Sequence, residues 1–196
     1  VEEVPVPEPA GRGGASFEVE ATGDGTRVRV VAPDRVGLLA DVAAVLALQR
    51  LAVRAARAWT QDSYGVSVWE LAEERVDPAV LRERFAAVAE GRIDPSGRLR
   101  PDRAVGLAPS VAVRPEASTR ATVLEVRTAD RIGVLHLVCA ALARLDIAVC
   151  SAHVDTLGPQ AVDVFYLQEA SAGALGDERA AAAAHAVRAT LSGEAL

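Results

Sequence analysis

The sequence predicts an α+β fold made of two copies of a ferredoxin-like, βαββαβ-type unit. The first observation is an internal repeat: segment 28–71 aligns without a gap on segment 124–167, and 16 of the 44 aligned residues are identical. Chance would give about five in a chain so rich in Ala and Val, so a duplication explains the match. The second observation is the order of hydrophobic periods in each copy, which predicts strand, helix, strand, strand and helix. The third is an alternating segment in front of each copy, which predicts one more strand.

Each predicted element depends on a local pattern. Apolar and charged residues alternate in the first strand, and leucines and valines recur at helical spacing in the helix that follows. The third strand is apolar on both faces, which predicts that the sister copy or another chain covers its second face or the sheet edge. In copy one and copy two respectively, the predictions are first strands at 27–32 and 123–128, helices from Leu38 and Val134, second strands from Val53 and Val149, and third strands at 66–71 and 162–167.

The second helix of each copy has clear boundaries. Asp77 is a good N-cap residue and Gly91 a helix stop, and the Ala-rich segment 177–191 is the equivalent helix in copy two. Segments 16–20 and 110–113 alternate in hydrophobicity just before the first strands. We expect them to pair antiparallel with those strands, so that each four-stranded antiparallel sheet has its final strand supplied from the N-terminal side and its helices on one face.

The distribution of Pro and Gly divides the chain. Residues 1–15 and 92–109 are rich in both and predict a flexible tail and a linker. The two units are then expected at 16–91 and 110–196. Because the chain contains no Met, we also expect it to be an excised segment or a processed product.

Composition excludes several classes of function. The net charge is -6 and the basic residues are scattered, which argues against nucleic acid or an anionic membrane as a partner. No apolar run reaches the length of a membrane span, so a cytoplasmic location is expected. The two cysteines fall in apolar stretches and predict small buried hydrophobes rather than a disulfide.

One motif carries chemistry: Asp-Arg-x-Gly followed by two aliphatic residues, at Asp34–Leu39 and Asp130–Leu135, in the turn between the first strand and its helix. Glycine lets a ligand approach the backbone, and the free N–H groups of a helix start favour a carboxylate. The Asp carboxylate is suited to an ammonium group, so the turn suits a free amino acid. The alternative is structural: Asp caps the helix and Gly makes the turn.

This motif inside such a unit resembles the ACT domain family. The tandem, with EASTRATVLEVRTADRIGVLHLV and HVDTLGPQAVDVFYL in copy two, resembles the C-terminal ACT pair of the bifunctional PII uridylyltransferase/uridylyl-removing enzymes over about residues 16–191. Family members commonly have Pro where this chain has Val36 and Ile132. That departure keeps the glycine and bears on ligand geometry more than on fold.

The resemblance implies a regulatory module that senses glutamine, in an enzyme that adds and removes a nucleotidyl group on a PII protein in nitrogen regulation. The expected partners are a free amino acid, the catalytic domains of the parent enzyme and a second copy of the chain in a homodimer formed through the ACT sheets. We expect no catalytic residues, no metal ligands and no cofactor in this chain. The ligand is expected at the two turns, closed by the second strands, with these candidate residues: Asp34, Arg35, Gly37, Leu38, Arg57, Asp130, Arg131, Gly133, Val134 and His153.

Two other functions fit the residues. The chain can be a ligand-free module for dimerisation or interaction, or a standalone double-ACT regulator of the glycine-cleavage repressor type. Copy two is the favoured ligand site, because its match to the family is closer.

Overall fold

A computed structural model describes residues 2–11, 13–99, 108–114, 120–129 and 132–194. These residues form an α+β fold with an antiparallel sheet, which confirms the predicted class. The strands are β1 Ser16–Thr22, β2 Gly25–Pro33, β3 Val53–Gln61, β4 Tyr64–Leu71, β5 Ser110–Arg114, β6 Thr122–Ala129, β7 Ile147–Leu157 and β8 Gln160–Glu169. The helices are α1 Glu8–Gly11, α2 Leu38–Leu48, α3 Pro78–Ala89, α4 Pro95–Arg98, α5 Val134–Arg144 and α6 Asp177–Leu191.

The strand in front of each copy completes its half of the sheet, as the sequence predicts. β1 pairs antiparallel with β2, with Phe17 opposite Val30, and β5 pairs antiparallel with β6, with Val111 opposite Val126. The order within the halves is β1-β2-β4-β3 and β5-β6-β8-β7. Each leading strand therefore occupies the outer position beside the first strand of its copy.

The two halves join into one eight-stranded sheet, whereas the sequence predicts two sheets of four strands. β3 pairs antiparallel with β7 through three residue pairs centred on Ala56 opposite Ala152. These two alanines are equivalent in the repeat, since 56 + 96 = 152. The copies are thus related by a local two-fold axis at this seam. Of the two candidates for covering the sheet edge, the sister copy is the one that does so.

Two apolar clusters lie between the sheet and a row of four helices. Trp69 is central in copy one and Phe165 in copy two, and Leu135 packs against both clusters. α2 and α5 contact each other across the seam, with α3 and α6 outside them. α3 begins where expected, because the Asp77 side chain accepts a hydrogen bond from the amide of Ala79.

The opposite face of copy one is also covered. Val4 and Ala10 are buried against Val31 and Val66, within the segment that composition predicts as a tail. The backbone of Val4 exchanges two hydrogen bonds with the Gln61 side chain, at 2.8 and 2.6 Å. Residues 2–11 thus pack on the sheet face that lies away from the main row of helices.

The predicted linker contains the short helix α4, and Leu99 just after it is buried. Residues 100–107 lie outside the described part. The unit boundaries at 16–91 and 110–196 remain predictions. Within the described residues, no helix is long and apolar enough to span a membrane.

Candidate ligand-binding turns and the seam between the copies

The turn of copy one joins the end of β2 to the start of α2. Gly37 is the N-cap residue and has φ of +84°, in the left-handed region that favours glycine. No side chain caps the helix. The Leu38 amide donates to the Arg35 carbonyl at 3.3 Å, and the Leu39 and Ala40 amides precede the first intrahelical hydrogen bond, which suits these two amides to an anionic group.

Asp34 does not cap α2, so the structural alternative holds for the glycine but not for the aspartate. One carboxylate oxygen of Asp34 accepts a hydrogen bond from the Thr60 hydroxyl at 3.4 Å, and the Asp34 amide donates to the Ser63 carbonyl at 2.9 Å. The side chain is exposed at the end of the β3–β4 hairpin. Asp34 thus connects the turn to β3, the strand at the seam.

Arg35 turns away from Asp34 and toward the first turn of α2. Its guanidinium forms an ion pair with Asp41 at 2.6 Å. A bidentate or close Arg–carboxylate pair satisfies much of the charge of both groups. The Arg35 guanidinium is therefore engaged by Asp41, and the exposed Asp34 side chain faces solvent.

The helix of copy two also begins at a left-handed glycine, but in a different environment. Gly133 is the N-cap residue of α5 with φ of +94°. Gly133 and Val134 are buried, whereas Gly37 and Leu38 in copy one are half-buried. Asp130 and Arg131, both predicted ligand residues, lie outside the described part of the chain. Because φ at Gly133 lies in the left-handed region, Gly133→Val would strain the backbone.

Arg57 and His153 lie near the centre of the sheet rather than beside the turns. Arg57 is opposite Ser151, and His153 is opposite Ala55. Side chains alternate along a strand, and Ala56, which lies between Ala55 and Arg57, is buried on the helix side. Both side chains therefore project from the opposite face, where His153 stands edge-on to Tyr166 with ring centroids 6.2 Å apart.

The seam on the helix side holds a contact that the sequence does not predict. Nδ1 of His136 is 2.9 Å from the carbonyl oxygen of Ala40, and both residues are buried. Because a carbonyl only accepts, this ring nitrogen carries the proton. The N-terminal turns of α2 and α5 are thus joined by a hydrogen bond between the copies. The apolar composition around His136 offers no sequence signal for this pairing.

A small apolar cavity lies at the same seam. Leu39 and Leu135, the last residues of the two motifs, line it together with Cys139. Burial raises the pKa of the Cys139 thiol to about 12, with a smaller contribution from Asp163. This thiol is therefore neutral across the physiological range. A larger groove of about 410 Å³ lies away from the turns, between the β1–β2 hairpin and residues 74–77.

Among the residues that the structure describes, no three His, Cys, Asp or Glu side chains come together as a metal site. The arrangement that remains is a pair of helix-start turns, one open and one covered. An open turn of this kind can accept a carboxylate at backbone amides and an ammonium group at Asp34.

Comparison with known proteins places this chain among segments of large enzymes. It is 36% identical over 178 residues to the bifunctional uridylyltransferase/uridylyl-removing enzyme of Streptomyces coelicolor, covering 81% of this chain and 21% of the relative. The enzymes of the same name from Gluconobacter oxydans and Caulobacter vibrioides are each 32% identical, over 165 and 185 residues. Those matches cover 74% and 86% of this chain, and 17% and 20% of the relatives.

The chain therefore spans about one fifth of the length of these curated relatives and is related to that region of them. No protein-family model matches the chain. A solved structure from Galdieria sulphuraria aligns with 17% identity over 72% of this chain and 78% of its own, but the TM-score of 0.26 supports no argument.

Proposed function

We propose that this chain is the amino-acid-sensing region of a bifunctional uridylyltransferase/uridylyl-removing enzyme, with glutamine as its ligand. On this proposal the region consists of two ACT domains. It regulates a parent enzyme that modifies a PII protein in nitrogen regulation, in the cytoplasm. Catalysis belongs to the other parts of the parent enzyme, and the isolated chain neither transfers nor removes nucleotides.

The relatives support the proposed identity of the parent enzyme. Three of them share one name and match most of this chain, while the chain accounts for only 17–21% of their length. A segment of that size leaves room for both catalytic activities elsewhere in the parent. This favours a regulatory region over a standalone double-ACT regulator.

The turn of copy one supports the proposal that the ligand is a free amino acid. Among the described residues, a Cβ atom built on Gly37 would meet one atom within 4 Å, Nη1 of Arg35 at 3.8 Å, so these residues leave the space above the backbone open. The amides of the first turn of α2 would receive the ligand carboxylate, and Asp34 would receive the ammonium group. This open turn with an exposed carboxylate is the observation that carries the proposal, and it moves the favoured site from copy two, which the sequence comparison favours, to copy one.

Ligand binding would be transmitted through the sheet. Asp34 is hydrogen-bonded to Thr60 on β3, and β3 forms the seam with β7. A ligand that ties Asp34 to the start of α2 would bias how β3 and α2 sit against copy two. A regulatory module needs such an element with two arrangements, one of which the ligand favours.

The test is thermal unfolding of the chain in the presence of each of the twenty amino acids. A ligand that binds only the folded state adds about 2.7 kcal/mol of stability at 100 times its Kd. Glutamine should raise the unfolding midpoint, and glutamate and D-glutamine should not. If no amino acid raises it, the chain is a ligand-free interaction module instead.

A further inference from the structure

The segment between the copies places one leucine at the turn of copy two. Asp94 caps α4 by accepting a hydrogen bond from the Ser96 amide at 2.9 Å, and the Leu99 amide donates to the Pro95 carbonyl at 2.9 Å. These bonds hold the short helix in a defined shape. Leu99, which directly follows it, is 8% exposed.

Leu99 contacts both copies. On one side it packs in a small apolar cluster with Ala44 and Ala47 of α2, which belongs to copy one. On the other side it lies against Gly133, the N-cap of α5 in copy two. A Cβ atom built on Gly133 would be 3.2 Å from Cβ and 3.3 Å from Cδ2 of Leu99. The space beside the Gly133 backbone is therefore occupied by Leu99.

The same space is open in copy one. Gly37 and Gly133 have nearly the same φ, +84° and +94°, so the two N-cap residues have equivalent backbone conformations. The described residues place no hydrophobic side chain within 4 Å of the Cβ position at Gly37. The difference between these two glycines lies in what covers them and not in their φ.

We propose that Leu99 is a built-in plug, which closes the turn of copy two and limits the module to one amino acid per chain, bound at the turn of copy one. This inference rests on the proposed function, because it concerns the same ligand. A leucine side chain fills the position that the backbone of a bound amino acid would take. Ligand reaches copy two only when the segment carrying Leu99 moves away.

Calorimetric titration of glutamine into the whole chain tests the plug. The wild type should bind one glutamine, and Leu99→Ala should bind two. Ile93→Ala is the matched control, because Ile93 lies in the same segment but packs against the cluster of copy one. It should bind one. Circular dichroism confirms that each variant is folded.

Hydrogen exchange on the wild type gives a second reading that requires no variant. Glutamine should slow exchange at Leu38–Ala40 and leave Val134–His136 unchanged. Two glutamines bound to the wild type, one bound to folded Leu99→Ala, or equal protection of both turns would overturn the plug while leaving the proposed function intact. No binding to any of the three proteins would overturn both.

Discussion

The two copies differ most at the places where segments of the chain that lie outside the repeat pack against them. Their α2 and α5 turns share a left-handed glycine, and their sheets share one strand order. Yet the turn of copy one is open and that of copy two is covered by Leu99. Duplication therefore preserves the left-handed glycine, while the short segment between the copies decides which of the two glycines is exposed.

The faces of the sheet away from the main helices show the same contrast. In copy one, Val31 is buried under Val4 and Ala10. Its equivalent in copy two is Arg127, since 31 + 96 = 127, and this residue pairs with Glu125 at 2.8 Å. The hydrogen bond from Arg127 is the main reason that the pKa of Glu125 is lowered. A covered apolar surface in one copy thus corresponds to a charged surface in the other.

The largest expected effect tests whether the two copies unfold together in one cooperative transition. Trp69 and Phe165 are equivalent and fully buried, one in each core. Trp69→Ala and Phe165→Ala should each lower the free energy of unfolding by about 3–5 kcal/mol. Because the sheet is continuous, both variants should shift a single transition in urea, followed by fluorescence and circular dichroism. Two transitions, of which only one shifts in each variant, would show that the copies unfold independently.

The next effect is a difference in the free energy of unfolding between alanine variants of the two N-cap glycines. Alanine at either position must adopt a left-handed conformation, which costs roughly 1–2 kcal/mol. Gly133→Ala should cost roughly 1–3 kcal/mol more than Gly37→Ala, because its Cβ crowds Leu99. Urea unfolding measures both variants. In the Leu99→Ala background the extra cost should disappear, and an unchanged difference would place its cause elsewhere.

A smaller effect tests the cover on copy one. Val4→Ser should destabilise the chain by about 1.5–3 kcal/mol, because it exposes apolar surface that is now buried. Val6→Ser is the control, since Val6 is 38% exposed, and it should change stability by less than about 0.5 kcal/mol. Equal effects of the two variants on the urea midpoint would mean that residues 2–11 do not pack on the sheet in solution.

The smallest effect concerns the two thiols and leaves stability unchanged. Burial raises the pKa of both, but Cys139 is fully buried and Cys150 is only half-buried. At pH 8 a thiol reagent should modify Cys150 slowly, and Cys139 only after unfolding. Mass spectrometry of the labelled chain identifies the sites. Labelling of Cys139 at the rate of Cys150 would mean that the seam opens readily.

Local patterns predict the elements of this fold well. The bounds of α6 at 177–191 and the N-cap at Asp77 follow from composition and capping chemistry alone. The strand at 16–20 follows from alternation, and it pairs as expected. Each of these features is determined by neighbours in sequence.

Contacts between distant segments are harder to predict from the sequence. A strand edge shows that it needs a partner but not which one, so the seam between β3 and β7 could not be read from the residues. The positions of Arg57 and His153 follow from the same seam. Leu99 had a weak signal, as the only large aliphatic residue between Ile93 and Val105, in a segment that composition identifies only as a linker.

The central claim is that the turn of copy one binds the amino acid, and calorimetry with glutamine on two matched variants tests it most directly. Asp34→Asn keeps an acceptor for Thr60 but removes the charge that meets the ligand ammonium, so binding should weaken by about 1.5–3 kcal/mol. Asp130→Asn, the equivalent change in copy two, should leave affinity at the wild-type value. Wild-type affinity in Asp34→Asn, or loss of binding in Asp130→Asn alone, would contradict the account.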